Sequence, residues 1–104
     1  MSLSDLETAL KTVTDCVYER EAPAGARRYI VWHQYNAQTV DGDDQAALRV
    51  PRVQVDVFWQ QRIDTLLDDV LAVLDYWRVP VDIQDITWDD ERQLHRAILQ
   101  MTWV

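Results

Sequence analysis

The sequence predicts an α+β fold in a single domain, 1–104, with a mostly antiparallel sheet and helices packed on one face. Three observations carry that expectation. Val53, Val55 and Val57 alternate with Arg52, Gln54 and Asp56, the pattern of a strand with one buried side. Ile63, Leu66, Leu67, Val70, Leu74 and Trp77 recur at helical spacing and make one broad apolar face. The 104 residues are 48% hydrophobic and 27% charged, with only 2 Gly and 3 Pro, which excludes a disordered or collagen-like chain. A chain of this length buries roughly 65% of its unfolded surface, enough for one modest core.

The elements follow in order. Ser4 and Glu7 have capping-box spacing, and Leu6, Leu10, Val13 and Val17 continue as a helical stripe. Cys16 lies beside that stripe and reads as a small buried residue; a single cysteine cannot form an internal disulfide and fits a reducing compartment. Pro23 and Gly25 end the helix. Arg28 to Asn36, rich in aromatic and β-branched residues, reads as a strand. The polar loop from Ala37 to Ala47, with Asp41-Gly42-Asp43-Asp44 at its tip, then leads to a second strand from Arg49 to Gln60. Together these form a long β-hairpin with an acidic tip. Pro51 cannot donate to a ladder and suggests that the start of that second strand is an edge or an extension beyond the sheet. A second helix runs from Ile63 to Trp77, with Asp64, Asp68 and Asp75 on another face, and stops at Pro80. Two more strands, Val81 to Trp88 and His95 to Val104, flank the turn Asp89-Asp90-Glu91, and Ala97, Leu99, Met101 and Trp103 face inward in the last. The expected order is α-β-β-α-β-β.

Charge narrows the function classes. The net charge is −8, and nine acids with one base (Arg78) between Asp64 and Glu91 account for all of it. Such a chain has no basic footprint with which to hold nucleic acid. No run approaches the roughly 20 apolar residues of a membrane span, and the N-terminal sequence does not read as a secretory signal. There is no glycine-rich phosphate loop and no Cys/His cluster with zinc spacing. The serines, Ser2 and Ser4, are both N-terminal and make a poor nucleophile set. His33 and His95 could meet across the sheet as a metal or acid/base pair, but ordinary strand positions explain them better. Asp43-Asp44, Asp68-Asp69 and Asp89-Asp90 are oxygen donors for a weak cation site, or simply solvated turns. No catalytic, cofactor or metal residues are therefore assigned. Of five tryptophans, Trp77 and Trp103 fit the core; Trp32, Trp59 and Trp88 exceed what so small a core holds at once, and aromatics left at a surface mark protein contacts.

One arrangement links these pieces: "YIVW" before an acidic loop, "VQVDVF" leading directly into an amphipathic helix, and "DDE…HRAI" as a closing turn and strand. In that order, from Leu3 to Val104, the chain resembles the small tail terminator (tail completion) proteins of long-tailed bacteriophages and prophages. The resemblance implies a non-enzymatic virion protein with a mixed α/β fold and a long hairpin, here Tyr29 to Gln60. Such proteins form a ring, typically a hexamer, on the tail tube, halt its polymerisation and present the surface that joins the head. The implied partners are further copies of the chain, the tail tube protein and a head–tail connector or neck protein. DNA would pass through the lumen without specific binding, and no membrane is involved. The implied location is the head-proximal end of the virion tail, after assembly in the host cytoplasm. Candidate loop, lumen or interface residues are Asp41, Asp43, Asp44, Arg49, Arg52 and Trp59. The alternatives are a neck or head-completion protein, a small acidic cytoplasmic adaptor or inhibitor of a basic partner, and a carboxylate-based metal enzyme.

Overall fold

The computed structural model of the chain describes residues 2–35 and 51–103. The expected hairpin tip, with Asp41, Asp43 and Asp44, and the expected strand start at Arg49 lie outside the described residues.

Helix α1 spans Leu3–Lys11 and is capped by Ser2. The Ser2 hydroxyl accepts from the Asp5 amide at 3.3 Å, and the Asp5 carboxylate accepts from the Ser2 amide at 2.9 Å. The capping box is therefore Ser2/Asp5, two residues upstream of the expected Ser4/Glu7 pair. The spacing is the same, and the upstream pair satisfies the end donors first. Glu7 is left to accept from the Trp32 indole (3.2 Å) and to pair with Lys11 (3.2 Å). The helix stops at Thr12, short of Val13 and Val17. There Thr12 donates its hydroxyl to the Ala9 carbonyl (2.6 Å) and Thr14 accepts from the Cys16 amide (3.2 Å), side-chain bonds that compete with helical ones.

Val17 instead opens a short strand, β1 (Val17–Glu19), that the sequence reading missed. It pairs parallel with β2 (Tyr29–Tyr35), Val17 opposite Ile30. The sheet is therefore mixed, and its strands number five. β2 pairs antiparallel with β3 (Arg52–Trp59), from Tyr29↔Phe58 to Tyr35↔Arg52. Helix α2 (Leu66–Tyr76) leads to β4 (Val81–Asp89) and β5 (Leu94–Thr102). The strand order is β1-β2-β3-β5-β4. β3 is thus a central strand, and of the two positions that Pro51 suggested, an edge or an extension beyond the sheet, the second holds. Pro51 sits just before it and needs no donor there; its carbonyl accepts from the Trp103 amide at 3.0 Å.

Both helices lie on one face of the sheet. Leu6 and Leu10 of α1 and Leu66, Val70 and Leu74 of α2 share one core with Ile30, Trp32, Val53, Val55, Val57, Ala97 and Leu99. Full burial of each of the larger aliphatics is worth roughly 1.5–3 kcal/mol. Trp103 closes this core and ties its end to the start of α1, donating its indole N–H to the Ser2 carbonyl at 2.7 Å. As the alternation predicts, Ala97, Leu99, Met101 and Trp103 face inward.

The α2 boundaries are tighter than expected. Ile63 is 80% exposed and precedes the helix, while Trp77 is its C-cap and 37% exposed, resting against the Trp103 ring at 6.2 Å. The cause is Asp64, whose carboxylate accepts from the Leu66 amide (2.9 Å) and fixes the start of the helix one residue before it. Leu74→Ala is expected to cost about 3 kcal/mol in urea unfolding, and Ile63→Ala less than about 0.5 kcal/mol. Equal losses would contradict this placement of the helix.

Candidate functional site

The face of the sheet away from the helices carries a polar ladder. In β3, Gln54, Asp56 and Phe58 point to this side; in β5, Arg96 and Gln100 do. Asp56 is 7% exposed, and its carboxylate accepts from the Arg96 guanidinium (2.6 Å) and from the Gln54 amide (2.9 Å). Gln100 donates to Gln54 at 3.3 Å. Arg96 also lies over the Phe58 ring (5.5 Å), as does Arg92 (5.4 Å), and Tyr29 stacks on the Phe58 ring at 4.6 Å. Arg20, Arg92 and Arg96 line an open cleft of about 360 Å³ here, together with Glu21 and Asp56. Arg96 is matched by Asp56, and Arg92 by Asp89 at 2.8 Å, so the cleft is close to charge-balanced.

A further ion pair ties the start of β2 to the start of α2. The Arg28 guanidinium grips the Asp64 carboxylate with three contacts of 3.0 to 3.2 Å. Arg28, together with the Leu66 amide, holds the Asp64 carboxyl below its ordinary value despite some burial. Asp89 is lowered likewise, chiefly by the Arg92 amide and then by its side chain.

The β4 edge is chemically different. The registers Ile83↔Leu99, Ile86↔Ala97 and Trp88↔His95 put Ile83, Ile86 and Trp88 on the helix side of the sheet. α2 does not cover them: they are 46%, 54% and 42% exposed. A register shift between Ile83 and Asp85 keeps this side apolar across the irregularity. Asp82, Asp85 and Thr87 point to the other side.

The expected site residues are scattered. Asp41, Asp43, Asp44 and Arg49 lie outside the described residues. Arg52 is exposed, at the start of β3 beside Tyr35 and Thr102. Trp59 is buried, 8% exposed, and stacks on His95 at 5.5 Å. Trp32 is buried too, under α1 through its bond to Glu7, so of the three surplus tryptophans only Trp88 is exposed. It meets the other side of His95 at 4.9 Å, which makes a row Trp59–His95–Trp88 across three strands. His33 and His95 are on strands that are not neighbours and on opposite faces. Among the described residues no three His, Cys, Asp or Glu side chains converge as a metal site. No described helix is long and apolar enough to cross a membrane. The apolar alternation of Val81, Ile83, Ile86 and Trp88 was the available signal for the β4 stripe, although its exposure depends on where α2 ends up.

Asp64 is ionised and paired in the folded chain at neutral pH. A lowered folded pKa gives stability that is present above the unfolded value, about 3.9, and is lost as pH falls through the folded one. Asp64→Asn is therefore expected to cost about 1 kcal/mol at pH 7 through the lost cap and pair. That deficit should shrink as pH falls below about 3.9 and through the lowered folded value, where the parent's carboxylate becomes protonated as well. A deficit that stays constant in acid unfolding curves would contradict the assignment.

Scanned against protein-family models the chain matches none, and a search of curated proteins finds no significant match.

Proposed function

We propose that this chain is a non-enzymatic virion assembly protein of the tail-terminator kind. It forms a ring, a hexamer, on the last ring of the tail tube, stops polymerisation and offers the surface to which the head docks. The observation that carries this reading is that one sheet has two unlike outer edges. β4 is nine residues long, exposed and acidic. β1 is three residues long and runs into charges of both signs, Glu19, Arg20 and Glu21. A ring is built from heterologous contacts, in which two different patches of each subunit meet. A sheet whose two edges differ in length and exposure supports that geometry, whereas like edges would favour a two-fold dimer.

The motif order in the sequence supports the same reading. So does the overall charge, because six subunits of net charge −8 would make a ring that repels DNA backbone and lets it slide. A small acidic adaptor is the second reading, favoured by the run of nine acids between Asp64 and Glu91. Its binding to a basic partner would weaken steeply with salt.

Light scattering over a concentration series, alone and with tail tubes, tests the proposal. The expected species is six subunits of 12.2 kDa, free or seated on tube ends. A chain that remains monomeric throughout and ignores tube ends, yet binds a basic protein in a salt-sensitive way, would replace it with the adaptor.

A further inference from the structure

We draw no further inference here: the strongest candidate, the apolar surface patch of Ile83, Ile86 and Trp88 on the helix side of β4, is left half in solvent, and nothing in the structure shows what covers it.

Discussion

The structure depends on the two-residue period of β3. Val53, Val55, Val57 and Trp59 all point to one side, with Gln54, Asp56 and Phe58 on the other. A strand at the centre of a sheet with that pattern can bury only one fully apolar side. Both helices must therefore pack on that side, and a shift of one residue would drive Asp56 into the core. The opposite side is kept by the ladder of Gln54, Asp56, Arg96 and Gln100, in which the carboxylate meets two donors. Removing the Asp56 carboxylate would leave the Arg96 guanidinium without its partner in a half-covered site, which costs more than the pair contributes when intact.

Two helices of nine and eleven residues cannot cover a five-stranded sheet. α1 lies over Trp32 and α2 over the centre, with Leu66, Val70 and Leu74 as its inner positions. β4 is left beyond them. That shortfall, more than any special feature of β4 itself, exposes Ile83, Ile86 and Trp88. The Arg28–Asp64 pair contributes by fixing where α2 begins, and through it how far along the sheet the helix extends.

Most of the architecture was legible from periodicity. Strands β2 to β5 and helix α2 stand within a few residues of where alternation and helical spacing put them, whereas α1 begins close to its expected start but ends well short of Val17. What failed were local competitions. Ser2 and Ser4 offer the same capping chemistry, and spacing alone does not rank them. Val17 continues the stripe of Leu6, Leu10 and Val13 in sequence, yet the side-chain bonds of Thr12 and Thr14 end the helix first. A strand of three residues, β1, is too short to show a period. Ile63 fits the apolar face of α2 and is still solvent-exposed, because Asp64 turns the chain between them. For the candidate site, the surplus of tryptophan correctly pointed to an exposed aromatic but not to which one. Trp59 has His95 to stack on, and Trp32 has Glu7 as an acceptor, so only Trp88 is left outside.

The two helices leave the β4 side of the sheet uncovered. Amide hydrogen exchange followed from dilute to concentrated solution tests it most directly. The account predicts that β3 and β5 are protected throughout, while β4 exchanges quickly in dilute solution. Protection of β4 that already equals that of β3 and β5 in dilute solution would contradict it.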